Sequence, residues 1–215
     1  MEIIAGIDEA GRGPVLGPMV IVGVEASEHS LKKFRLKDSK EYARVTRDNL
    51  AISLIRTVER IHIRVLYPEI IDYFVENKTI NELEFLAYLS IIKDVNAETI
   101  YVDCFSTNID YIKRLFKERV PQKRFIVEHK ADRKYPIVSA AAIIAKHIRD
   151  AIMDVLSKDL GVYMGSGYPS DPRTINFLKS VLEEGNVKIL NGIVRFSWKT
   201  VKRLNLKAKK TLLDL

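Results

Sequence analysis

The sequence predicts an α/β fold, a mixed sheet with helices on its faces, followed by a C-terminal helical appendage. Three observations predict it. Two short apolar runs flank a glycine-rich turn at the start of the chain, as two neighbouring strands do. From residue 99 the pattern becomes strand, helix, strand, helix, the mark of a βαβ unit. Beyond residue 165 only a turn-rich loop, a helix and a basic tail follow.

The elements read in order as follows. Residues 3–7 and 19–24 are the apolar runs, on either side of Gly11-Arg12-Gly13-Pro14. Residues 47–59 have helical periodicity, and 62–66 alternate like a third strand. Thr79 and Glu82 form a capping box ahead of Leu83, Leu86, Ala87 and Ile91, which places a helix there. Strands at 99–102 and 124–127 enclose a helix at 110–117. A long helix runs from Pro136, favoured at a first helical position, to about Leu160, where Gly161 closes it. The loop 165–172 leads into a helix over 171–184. The expected division is a catalytic domain over 1–164 and a C-terminal helical substrate-binding region over 165–215.

The 215 residues are 47% hydrophobic and 29% charged, enough to bury a core and unlike a disordered chain. The longest apolar run, Ala140 to Ala145, is far short of the ~20 residues that cross a bilayer. With no signal-like start, the expectation is a cytoplasmic chain away from membranes. Cys104 is the single cysteine, so an internal disulfide or a zinc ribbon is excluded.

The net charge of +7 suits an anionic partner. Over 199–215 the six basic residues Lys199, Lys202, Arg203, Lys207, Lys209 and Lys210 fall on one side of a helix. Val201, Leu204, Ala208 and Leu212 fall on the other. Such a helix can dock by its apolar stripe and offer its basic side to phosphates, or that side can simply be solvated.

The chemistry signal is acidic residues placed where strands end. The first strand runs into Asp8 and Glu9, the 99–102 strand into Asp103, and the 124–127 strand is followed by Asp132. One such aspartate alone is ordinary turn chemistry. Three strands that are adjacent and parallel would instead make the acids converge, and crowded carboxylates need cations between them. Magnesium suits such hard oxygen ligands, and the pattern suggests a two-metal phosphodiesterase site. A dinucleotide fold does not fit, because Gly11, Gly13 and Gly17 lack its spacing. Pro14 and Pro18 obstruct its helix, and Asp8 and Glu9 would sit beside a pyrophosphate. The glycines are better suited to letting backbone N–H groups approach a ligand closely.

Six segments together resemble ribonuclease HII, the type 2 ribonuclease H. They are the run from Asp8-Glu9-Ala10-Gly11-Arg12-Gly13 to Pro18, Asp38-Ser39-Lys40, Val102-Asp103, Lys130-Ala131-Asp132, Ser139 to Lys146 with Arg149-Asp150, and Gly165 to Asp171. They occur in family order over essentially the whole chain, and the first is highly specific. The compact form and basic C-terminal end resemble archaeal members. A fourth acid that is Asp132 rather than Glu, with little chain ahead of Asp8, argues against the sister type, ribonuclease HIII. Ala142 stands where the family more usually has Ser, and Glu41-Tyr42 also depart from its pattern.

The resemblance implies a ribonuclease H-like fold with a five-stranded mixed sheet. It implies an endonuclease that cuts the RNA strand of RNA/DNA hybrids and single ribonucleotides in duplex DNA, leaving 3′-hydroxyl and 5′-phosphate ends. Asp8, Glu9, Asp103 and Asp132 would hold two Mg²⁺ or Mn²⁺ ions, with no other cofactor. The backbone of Gly11, Arg12 and Gly13 would read the 2′-hydroxyl, and Tyr168, on a glycine-rich and flexible loop, would support the neighbouring sugar. Lys40, Lys146 and Arg149 are candidate phosphate contacts that are equally at home as surface residues. The chain is expected to act as a monomer, and no terminal peptide stands out as a clamp-recognition segment. His129 is expected in a solvated loop, Cys104 in the core, and Trp198 packing the tail onto the domain.

Overall fold

The computed structural model describes residues 2–34, 36, 42–185 and 187–204. The chain forms two compact units, one of Met1–Ala10, Val20–Val65 and Asn81–Ile148, the other of Gly11–Met19, Leu66–Ile80 and Arg149–Leu215. The strands are β1 (Ile3–Ala10), β2 (Met19–Ser27), β3 (Arg60–Leu66), β4 (Thr99–Asp103) and β5 (Arg124–Glu128). The helices are α1 (Glu28–Leu31), α2 (Arg44–Ile55), α3 (Pro68–Asn77), α4 (Ile80–Asp94), α5 (Ile109–Arg119), α6 (Pro136–Asp159), α7 (Pro172–Glu183) and α8 (Lys199–Arg203).

The first unit carries a five-stranded sheet in the order β3-β2-β1-β4-β5. β1 is antiparallel to β2 and parallel to β4, and β4 is parallel to β5, so the expected mixed sheet is present. β2 is buried at every position, as a strand covered on both faces should be. The helix crossover through α5 makes β4 and β5 parallel. On β1, Gly6 is required by packing, because a Cβ there would lie 2.6 Å from the carbonyl carbon and oxygen of Ile137 in the first turn of α6. That contact seats the long helix directly on the strand that leads to Asp8.

The second unit has its own core. Val15, Leu16, Met153, Met164, Phe177, Leu178, Leu190, Val194 and Val201 are buried against one another. α7 is capped by Asp171, whose side chain accepts from the Arg173 N–H, and Pro172 occupies its first turn.

Two readings of the chain change, and a third is seen only in part. α2 begins at Arg44 and ends at Ile55, earlier than the periodicity suggested, because Glu59 leaves the helix to donate its N–H to the Glu25 carbonyl at 3.0 Å. α3 was not anticipated, although Pro68 at its start and Glu69 in its first turn are ordinary helix-start signals. Its buried positions are Pro68, Ile71 and Phe74, a stripe less than two turns long. Of the basic tail helix, α8 lies within the described residues and buries Val201, while residues 205–215 lie outside them.

Candidate active site

β1, β4 and β5 are adjacent and parallel, so the sheet meets the condition under which the acids converge. Ile7 pairs with Val102, which makes Asp8 and Asp103 the next residues on neighbouring strands, on the same face of the sheet. Asp8 is 5% exposed. Burial pushes its carboxyl well above the usual carboxylate range, and repulsion from Glu9, Asp103 and Asp132 adds to this. The Glu9 N–H, 2.6 Å from Asp8 Oδ1, works in the opposite direction. Asp103, half-buried, is also raised by desolvation, and the Ala131 N–H donates to its Oδ1 at 3.2 Å.

The turn after β5 explains how Asp132 reaches this group. Lys130 adopts the left-handed conformation at φ 57°, unusual for a residue with a side chain. The bend aims the Ala131 N–H at Asp103 and starts the 3₁₀ turn Ala131–Arg133 that carries Asp132. Glu128 pairs with Asp103 in the ladder, yet it is engaged elsewhere, by Lys134 and by the Tyr135 hydroxyl at 2.7 Å. Those bonds hold its carboxyl below the ordinary range. Asp132, not Glu128, is thus the acid from β5 that acts on Asp8.

One residue of this group was missed by sequence reasoning. Tyr88, fully buried on α4, donates its hydroxyl to Glu9 Oε2. The buried Glu84, one turn earlier, adds negative charge beside it. Two polar residues four apart on the apolar side of a helix were the signal available.

The donor set suits a hard divalent cation. It consists of carboxylates alone, one of them buried, and the charges acting on that one are of like sign. Among the described residues no three ligating side chains are already drawn into a cage. Closing them around an ion would relieve the repulsion that raises Asp8 and Asp103.

The second unit brings the glycine turn and the 165–171 loop together. Gly11 has φ 93°, and a Cβ there would lie 2.5 Å from Arg149 Cδ and 2.7 Å from the Pro18 carbonyl oxygen. The Tyr168 ring is the nearest neighbour of Gly13, 3.8 Å from where a Cβ would stand. Tyr168 is half-buried, with the Arg149 guanidinium 5.5 Å from its ring centre.

Its loop, which the sequence suggested as flexible, is tied by hydrogen bonds in this structure. The Val15 and Leu16 N–H groups donate to the Gly167 carbonyl at 2.8 and 3.2 Å, and Asp171 accepts from the Ser166 N–H at 2.8 Å. Arg173, first among several donors, holds the Asp171 carboxyl well below the usual range.

Arg149 is not a phosphate contact either. It is fully buried and donates to the carbonyls of Leu16 at 3.1 Å and Ser166 at 3.4 Å. Lys146 is half-buried on α6 in the first unit, and Lys40 lies outside the described residues. Cys104 is buried, His129 is exposed and contacts the Cys104 carbonyl, and Trp198 donates to the Gly13 carbonyl at 3.1 Å.

A mixed sheet whose parallel strands end in interacting carboxylates defines a protein of the ribonuclease H-like fold with an acidic, metal-seeking site. The family profile described as "Ribonuclease HII" matches residues 5–201, and the chain belongs to that family. Ribonuclease HII of Methanocaldococcus jannaschii is 42% identical, the match covering 98% of each chain. That of Pyrococcus furiosus is 38% identical over 99% of this chain and 96% of the other. Among solved structures, ribonuclease H2 from Pyrococcus horikoshii has a TM-score of 0.84 at 36% identity, covering 94% of this chain and 96% of that one. The complex of PCNA with ribonuclease HII from Archaeoglobus fulgidus has a TM-score of 0.84 at 39% identity, covering 99% of this chain and all of that one. The chain is thus a metal-dependent endonuclease that cleaves RNA in RNA/DNA hybrids. No helix among the described residues is long and apolar enough to cross a membrane.

Proposed function

We propose that this enzyme cuts both long RNA/DNA hybrids and single ribonucleotides in duplex DNA by two-metal catalysis, leaving 3′-hydroxyl and 5′-phosphate ends. The observation that carries the reading is that Asp8 and Asp103 stand in register at the ends of adjacent parallel strands, the buried Asp8 being acted on by the charges of Glu9, Asp103 and Asp132. These four would hold two Mg²⁺ or Mn²⁺ ions, whose chemistry is to activate water and to stabilise the departing 3′ oxygen. The chain's own groups prepare that site. Tyr88 orients Glu9, and the Ala131 N–H orients Asp103.

Gly11, Arg12 and Gly13 would recognise the 2′-hydroxyl through their backbone, and Tyr168 would pack against the sugar on the 3′ side. Lys40 and Lys146 are proposed phosphate contacts. The enzyme would work as a cytoplasmic monomer on its nucleic acid, and the PCNA complex of the Archaeoglobus fulgidus relative supports a clamp as a further partner.

The test is incubation with Mg²⁺ or Mn²⁺ and duplex DNA holding one ribonucleotide, beside an all-DNA control. A metal-dependent cut at the ribonucleotide with the stated ends is expected. Equal cutting of the control would overturn the reading.

Within the proposed 1–164 and 165–215 division, the C-terminal region would contribute substrate binding. Truncation at Lys199 would be a poor probe, because it removes Val201 from the second unit's core. Changing Lys207, Lys209 and Lys210 to Gln tests charge alone. If all three meet phosphates, the slope of log affinity against log salt should shrink by about 2 to 3. An unchanged slope would show that the basic side is merely solvated.

A further inference from the structure

Ribose and deoxyribose differ by one hydroxyl, so a backbone loop that tells them apart needs its peptide groups fixed before the ligand arrives. Glycines bring no side chains with which to do this. The second unit supplies the fixing from 180 residues away in sequence.

Arg195 is fully buried. Its Nη2 donates to the Gly11 carbonyl at 2.6 Å, its Nη1 to Arg12 at 3.0 Å and its Nε to Gly17 at 3.0 Å. The Trp198 indole completes the set at Gly13, and the guanidinium lies 5.0 Å from the Trp198 ring centre. Three consecutive carbonyls of the glycine loop, and a fourth at its far end, thus accept from two side chains.

Arg195 is itself held on both sides. Its N–H donates to the Val15 carbonyl at 2.9 Å, and Leu16 and Val194 form an antiparallel bridge. Asp72 on α3 accepts from the Phe196 N–H at 2.7 Å, the Ser197 N–H at 3.0 Å and the Ser197 hydroxyl at 2.5 Å.

The consequence follows from peptide geometry. Among the described residues no peptide bond is cis, so the N–H of each non-proline unit points opposite to its carbonyl. Bonds to the Gly11 and Arg12 carbonyls therefore fix the directions of the Arg12 and Gly13 N–H groups. A charged donor on the carbonyl side also polarises the same peptide unit and strengthens its N–H as a donor. A guanidinium spreads its donors over three nitrogens in one plane, so each carbonyl is met by its own nitrogen at a fixed angle, whereas the donors of an ammonium all radiate from a single atom.

We propose that Arg195, with Trp198, is a positioning residue for ribose selection. Arg195 aims and strengthens the Arg12 and Gly13 N–H groups toward the 2′ oxygen without touching the substrate, and Trp198, whose bond falls on the Gly13–Pro14 unit that has no N–H, holds the Gly13 end of the loop in place. The proposal rests on the assignment of the glycine loop to the 2′-hydroxyl.

The test uses the full-length enzyme loaded with Mn²⁺. Cleavage of a labelled single-ribonucleotide duplex is competed by unlabelled duplexes carrying ribose, 2′-fluoro-ribose or deoxyribose at that one position. The parent should bind the ribose competitor most tightly. Arg195→Lys should narrow the ribose-to-deoxyribose preference about tenfold, and Trp198→Phe about threefold, each with the affinity for the deoxyribose duplex unchanged.

If all three competitors weaken together, or the preference stays at the parental value, Arg195 is only a packing residue and the proposal fails. If the parent itself shows no preference, the loop does not read the hydroxyl and the underlying assignment fails first. Melting curves accompany both variants. Should Arg195→Lys not fold, Trp198→Phe, which keeps the ring and removes one donor, decides alone.

Discussion

Asp8→Asn should abolish cleavage while making the metal-free protein more stable. The substitution keeps the size of the side chain and an oxygen able to accept the Glu9 N–H, and it removes one charge from the buried cluster. Losing about 4 kcal/mol of transition-state stabilisation would lower the rate by about a thousandfold, each 1.4 kcal/mol being tenfold. Hybrid binding should largely survive.

The stability effect has the opposite sign. In the folded chain Asp8 keeps its proton to a higher pH than in the unfolded chain. Between those two values the unfolded state binds fewer protons, so metal-free stability falls as pH rises through that window. The Asn variant lacks this loss and, at neutral pH and without metal, should melt above the parent. Added Mn²⁺ should raise the parent's melting temperature and the variant's much less. Parental turnover at saturating Mg²⁺, or a variant that melts below the parent, would remove Asp8 from the metal site.

Tyr168→Ala should cost about ten- to a hundredfold on a single embedded ribonucleotide and much less on an all-RNA hybrid. The ring lies beside Gly13, and the proposed function puts the sugar on the 3′ side of the ribonucleotide against it. A ring packed there favours a deoxyribose, because a 2′-hydroxyl would crowd it. Tyr168→Phe keeps the ring and its contact with the Arg149 guanidinium, and should stay within about threefold of the parent. Truncation to Ala also removes that contact, so some loss of melting temperature is expected. The ratio of the two activities is the deciding measurement. An Ala variant that loses both activities in proportion to its melting temperature would leave Tyr168 as a packing residue.

The carboxylates were legible in the sequence because each follows an apolar run, and strand direction does the rest. What a run cannot show is which acid turns inward. Glu128 sits at the end of β5 itself, but Lys134 and Tyr135 engage it, while the turn after the left-handed Lys130 carries Asp132, whose charge acts on Asp8. Tyr88 was hidden because its reason for being buried, Glu9, lies 79 residues away. Arg149 was misread for the same reason. A basic residue on a helix reads as exposed until the carbonyls of Leu16 and Ser166 are known to surround it. α3 escaped notice because its anchor, Asp72, works on Phe196 and Ser197 rather than on any local pattern.

The Arg195 contact with Gly11 spans 184 residues. On a ribosome the carboxylates of β1 and the glycine loop emerge well before the side chain that fastens the loop. Contacts of such long sequence separation form late in folding, since the intervening chain must first be closed into a loop. A nascent or prematurely ended chain would therefore possess acids for cutting before it possessed its means of choosing a sugar. On the proposal made for Arg195, vectorial synthesis would deliver ribose selection later than the metal-binding acids.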